Sequence, residues 1–169
     1  MLHPLIWKTT AHINSPILSK VYEKLISHKL SSFSDKYGLL PAAQSAYRNG
    51  LSCNDALLTI SHHIQKSLDA GMESYIVQLD FSGAFNRVSQ SGLLFKLKSI
   101  GVGGSVLAIC TEILSDRRRR IVVDGAARER IPIISGVPQG SVLSPLLFIL
   151  YTSKMFEPVE KRLFVYACR

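Results

Sequence analysis

The chain has 169 residues, 47% of them hydrophobic and 19% charged, enough apolar material for one buried core and too much for a disordered or low-complexity chain. Twenty Lys and Arg against twelve Asp and Glu leave a formal charge of +8, which suits a polyanionic partner such as RNA, DNA or an anionic membrane without choosing among them. Cys53, Cys110 and Cys168 are odd in number and far apart, with no zinc or disulfide spacing, so a reducing, intracellular compartment is expected, nucleus and cytoplasm not being distinguished.

Residues 1–14 form an N-terminal segment without a defined element, and His3, Lys8 and His12 interrupt its apolar residues, so it does not read as a secretory signal. The longest apolar run, 142–151, is broken by Ser144 and Pro145 and is far shorter than the roughly twenty residues of a membrane span. A soluble protein without membrane contact is expected.

After Pro16, the recurrence of Ile17, Leu18, Val21, Tyr22, Leu25, Ile26 and Leu30 predicts an amphipathic helix. Residues 32–50 read as connecting structure, punctuated by Gly38, Pro41 and Asn49-Gly50. Ser52 and Asp55 then form a capping-box pattern. It starts a second helix with Cys53, Ala56, Leu57, Ile60, Ile64 and Leu68 inward and a stop at Gly71. Adjacent His62 and His63 on that helix point in different directions and do not suggest a metal site.

Residues 74–79 are rich in Tyr, Ile and Val and predict a strand with Asp80 at its carboxyl end. Leu93, Leu94, Leu97 and Ile100 predict a helix closed by Gly101, and Val106, Leu107, Cys110, Ile113 and Leu114 predict another. A hairpin follows, with 120–123 and 128–134 flanking Asp124-Gly125. The Ala126-Ala127 extension leaves its register open, and Pro132 puts the second run at a sheet edge. The loop 136–140 leads into a helix capped by Ser141 and packed through Leu143, Leu146, Leu147 and Leu150. Residues 163–167 read as a further strand.

The order of these segments carries a resemblance. LDFSGAFNRV at 79–88 and SGVPQGSVLSPLLFILY at 135–151 resemble two successive palm motifs of reverse transcriptases from non-LTR retrotransposons, and LFVYACR at 163–169 resembles an altered third. SPILSKVYEKLI and GLLPAAQSAYRNGLSCNDALL are similar to the fingers region of the LINE or Jockey-like branch. The resemblance covers nearly the whole chain from residue 15. It implies an α+β fold of helices on a small antiparallel sheet: an incomplete domain over 15–169, with fingers at about 15–73, palm at about 74–169, and the thumb absent.

In such polymerases, nucleotide transfer uses two magnesium ions about 3.5–4 Å apart, held by carboxylates because the cation is hard and takes oxygen ligands. The resemblance makes Asp80 the catalytic, metal-bridging carboxylate. Taken alone, Asp80 would read as the cap of a strand turn. The resemblance further implies nucleotide contacts from Phe81, Ser82, Gly83, Ala84, Phe85, Gln139, Gly140 and Arg48. Phe85 stands where the family has a steric gate against a ribose 2′-hydroxyl; without that register it is an ordinary core Phe. Small Gly83 and Ala84, and Gly136 and Gly140, permit close backbone approach. Arg48 reads nearly as well as a surface residue beside a turn. The run Arg117, Arg118, Arg119 and Arg120 reads either as contacts to template and primer phosphates or as a solvated face.

Several positions depart from the family pattern. Where it has Tyr-Ala-Asp-Asp, this chain has Tyr166-Ala167-Cys168-Arg169: a thiol and a cation replace two metal-binding acids. Asn86 replaces an Asp and Ser144 a Gly, neither a metal ligand. The expectation is a truncated RNA-directed DNA polymerase whose implied partners are an RNA template, a DNA primer and deoxynucleoside triphosphates. It would be inactive because the magnesium pair lacks ligands. A non-catalytic basic nucleic-acid-binding remnant is the alternative.

Overall fold

The computed structural model describes residues 17–155 apart from 121, 124, 125 and 128, with backbone only at 122, 123, 126 and 127. In chain order the elements are α1 (Ile17–Lys36), α2 (Cys53–Asp69), a 3-10 helix (Ala84–Arg87), α3 (Gln90–Ser99), α4 (Gly104–Leu114), β1 (Arg118–Arg119), β2 (Val122–Val123), β3 (Ala126–Ala127), β4 (Ile131–Pro132) and α5 (Ser144–Thr152). The class is α+β, rich in helix.

The core forms where α3 packs on both α4 and α5. Leu93 and Leu97 of α3, Cys110 and Leu114 of α4, and Leu146, Leu147, Ile149 and Leu150 of α5 are buried together with Leu143, Val88, Val102 and Val137. Each buried Leu or Ile stabilises by about 2 kcal/mol relative to exposure, which makes this three-helix junction the main stabilising unit. At the end of α3, Gly101 adopts a left-handed φ of 90° and the Val102 amide donates to Leu97 O, as the helix-stop reading anticipated. Cys110 is a free thiol in this core, and burial pushes its pKa up to about 11; Cys53 is disulfide-bonded, which the cysteine spacing did not indicate.

α1 runs past the expected boundary to Lys36. The Ser34 hydroxyl donates to Leu30 O at 2.7 Å, so a polar side chain is accommodated inside the packed face. That face is Glu23, Ile26, Leu30 and Ser34, whereas Ile17, Leu18, Val21, Tyr22 and Leu25, which the apolar pattern placed inward, are exposed. In α2 the capping box forms: Ser52 N donates to Asp55 Oδ2 at 2.7 Å and Asp55 N to Ser52 Oγ at 3.4 Å. Of its expected inner face only Ala56 is buried, while Leu57 and Leu68 are exposed. Apolar periodicity marks a helix, but a face is buried only where another element stands opposite.

The strand expected at 74–79 is absent. Residues 72–80 carry no regular secondary structure, are exposed, and show no backbone hydrogen bond among the described residues for 73–80. β-prone side chains fit a ladder but do not create one; inter-strand hydrogen bonds require a partner. The strand expected at 163–167 lies outside the described residues.

The hairpin does form, in two short antiparallel ladders. Val123 pairs with Ala126 and Val122 with Ala127, which resolves the open register and leaves Asp124-Gly125 as the connection. Arg119 pairs with Ile131 and Arg118 with Pro132. Two residues, 120 and 121, separate the ladders along the first run and three, 128–130, along the second. Both ladders are two-stranded, so Pro132 stands at an edge as expected. Among the described residues no helix is long and apolar enough to cross a membrane.

Candidate functional site

Two segments 46 to 53 residues apart, 80–90 and 135–141, are joined into one surface. Gly83, with φ 64°, turns the chain into the 3-10 helix; Ala84 N donates to Phe81 O at 3.2 Å and Asn86 N to Gly83 O at 2.9 Å. Gly136 N donates to Val88 O at 2.7 Å and Val137 N to Phe85 O at 2.9 Å, while Ser89 bridges Ser135. The Ser135 hydroxyl donates to Asn86 O at 3.1 Å, and the Gln139 side-chain amide donates to Asn86 Oδ1 at 2.9 Å. Gly136 is required at this seam: its φ is 83°, and a Cβ there would lie 2.8 Å from Asn86 Cα and 2.9 Å from Phe85 O. Its close approach is thus to the 85–86 backbone.

Arg117 fastens the seam from the hairpin side by donating to Gly136 O at 2.7 Å, and burial lowers its pKa from the ordinary guanidinium value. Gln90 reaches the same carbonyl at 3.4 Å and Ile133 O at 3.3 Å. The arginine run is therefore divided. Arg117 is a half-buried strut, Arg118 pairs with Asp116 at 3.3 Å, and Arg119 and Arg120 are exposed.

Phe85 stacks on Phe148 of α5, centroids 4.8 Å apart, and meets the edge of Tyr47 at 6.3 Å. Each ring of the stacked pair borders a hollow. One, of about 160 Å3, is lined by Phe85, Pro138, Gln139, Gly140, Ser141 and the first residues of α5. The other, of about 280 Å3, is lined by Asp80, Phe81, Ser82, Ala84, Arg87 and Phe148 among others. Phe85 thus both packs against Phe148 and borders the smaller hollow.

The sequence-derived residues thus fall in two groups around one aromatic wall: Asp80, Phe81, Ser82 and Ala84 on one side, Phe85, Gln139 and Gly140 on the other, with Gly83 exposed at the turn between them. Arg48 lines neither hollow. Its guanidinium donates to Pro41 O and to Asp35 Oδ1, each at 3.3 Å, tying the α1–α2 connection together. Ser141 does not cap α5; its hydroxyl donates to Glu23 Oε2 at 2.7 Å. Asp80 is exposed, and among the described residues no three His, Cys, Asp or Glu side chains gather to hold a metal ion. Cys168 and Arg169 lie outside the described residues. The described donor set does not fit a pair of divalent cations.

Sequence reasoning missed Tyr47, Asn86 as a partner of Gln139, and Glu23. Tyr47 adjoins Arg48 inside a motif already singled out, and its left-handed φ of 57°, uncommon for a bulky residue, has no sequence signature.

A family model described as reverse transcriptase (RNA-dependent DNA polymerase) matches residues 11–168. The probable RNA-directed DNA polymerase from transposon X-element of Drosophila melanogaster is 32% identical over 143 residues, covering 85% of this chain and 16% of its own length. The corresponding protein from transposon BS of the same organism is 31% identical over 82% of this chain and 15% of itself, and the RNA-directed DNA polymerase from mobile element jockey is 30% identical over 83% and 15%. The chain spans about 15% of the length of these relatives.

Proposed function

We propose that this chain, which belongs to the reverse transcriptase (RNA-dependent DNA polymerase) family, supplies fingers (about 15–73) and palm (about 74–169) parts of a retrotransposon polymerase and does not transfer nucleotides by itself. The carrying observation is the seam that brings the 80–88 and 135–141 segments around Phe85. In this reading the implied substrates are deoxynucleoside triphosphates on a primed RNA template. Phe85 excludes a 2′-hydroxyl, Gln139 is oriented by Asn86, and the small residues Gly83 and Ala84 admit the triphosphate to the 82–84 backbone. Magnesium would supply the Lewis acid in the parent reaction. The available acids do not form its site, because Asp80 stands without a described carboxylate cluster and Cys168 and Arg169 occupy the third-motif positions. No step is therefore assigned to the metal.

Two measurements test this. Primer extension by the purified chain with magnesium is expected to give no product, and extension abolished by Asp80→Asn would overturn inactivity. Binding of deoxy- against ribonucleoside triphosphate to the chain loaded with primed RNA is expected to favour the deoxy form, a preference that Phe85→Ala reduces by about tenfold, or 1.4 kcal/mol. A wild-type chain without preference would remove the nucleotide-facing reading. The exposed Arg119 and Arg120, with the +8 charge, favour a second reading: nucleic-acid binding without chemistry.

A further inference from the structure

Glu23 lies on α1 and is 9% exposed, yet its carboxylate has no ion-pair partner among the described residues. Instead Oε2 accepts from the Ser141 hydroxyl at 2.7 Å and from the Val142 amide at 2.8 Å, across 118 and 119 residues of sequence. Ser141 Oγ in turn accepts from the Leu143 amide at 3.2 Å, and Ser141 N donates back to Pro138 O at 3.4 Å. The carboxylate therefore faces the amino-terminal approach to α5, where amide hydrogens and the helix dipole favour an anion. A buried charge is costly, and an apolar residue at the same place would serve packing better. Its contacts concentrate on one feature, the turn that carries Gln139 and Gly140.

We infer that Glu23 is a positioning residue: through Ser141 and Val142 it fixes the Gln139–Gly140 turn to α1, so that the first helix sets the wall of the smaller hollow. The role in nucleotide binding rests on the reading proposed above; the mechanical link does not. The distinction from a general stabilising role is local. A residue that only supports the fold loosens every protected amide when lost, whereas a positioning residue loosens its own turn.

Amide hydrogen exchange on the 169-residue chain tests this. In Glu23→Ala, exchange at Val142 and Leu143 is expected to accelerate at least about tenfold while Leu93 and Leu97 change by less than about threefold. Glu23→Gln keeps an acceptor of the same reach and is expected to restore part of the protection. If Glu23→Ala does not fold, Ser141→Ala removes the hydroxyl arm of the link and the acceptor of the Leu143 amide, and is expected to free Leu143 while Val142, still bonded to Glu23, changes less. In parallel, deoxynucleoside triphosphate binding to the chain loaded with primed RNA is expected to weaken about tenfold in Glu23→Ala, with template affinity within about twofold. Unchanged protection at Val142, or uniform acceleration throughout the core, overturns the inference. Lost protection at the turn with nucleotide affinity intact upholds the link and overturns its role in nucleotide binding. A wild-type chain that binds no nucleotide removes only the functional reading, and the exchange pattern still decides the link.

Discussion

At Gly136 one hydrogen atom in place of a methyl group lets two segments touch. The added Cβ of Gly136→Ala would meet backbone atoms of residues 85 and 86, which cannot rotate away, at a φ of 83° that disfavours any side chain. The substitution is expected to destabilise by about 3 kcal/mol, read as a lowered denaturation midpoint at constant m-value. The glycine was visible in the SGVPQG string, but what it approaches was not: sequence suggested a bound ligand, and the structure shows the Phe85–Asn86 backbone. Phe85 shows the same division. Its aromatic character was legible; that Phe148 stacks on it and Tyr47 edges it depends on residues 63 and 38 positions away, with no local trace. Arg117 looked like its three arginine neighbours, and only the Gly136 carbonyl separates its role from theirs.

Among the elements, those defined by short-range chemistry were readable. The Ser52–Asp55 capping box and the α3 stop at Gly101 each involve groups a few residues apart, so their geometry is encoded nearby. Burial was not. The 74–79 segment and the outer rows of α1 and α2 carry apolar residues as α3 does, yet they are exposed. A direct comparison follows: Leu97→Ala, at a fully buried position, is expected to cost about 3 kcal/mol, whereas Val77→Lys, at 80% exposure, should stay within about 0.5 kcal/mol. Urea denaturation of both variants checks this, and a large loss for Val77→Lys would show that the segment packs in solution.

For the molecule as a whole, charge is the property that summation over the sequence describes well. With a formal +8 and exposed Arg119 and Arg120, affinity for a primed RNA template is expected to fall linearly in log–log form with salt. Replacing Arg119 and Arg120 by Ala together should lower the slope by about two. A salt-independent affinity would exclude phosphate contacts as its source.

The presence of the helices, the Ser52–Asp55 capping box, the α3 stop at Gly101 and the family motifs follow from the amino-acid sequence by itself, because each rests on neighbouring residues or on a contiguous string. Which apolar faces are covered, the division of the arginine run and the reach of Glu23 to the Gln139 turn were decided only by tertiary structure. Those depend on groups brought together from distant parts of the chain, and a carboxylate reads the same in sequence whether it meets water or the amide of Val142.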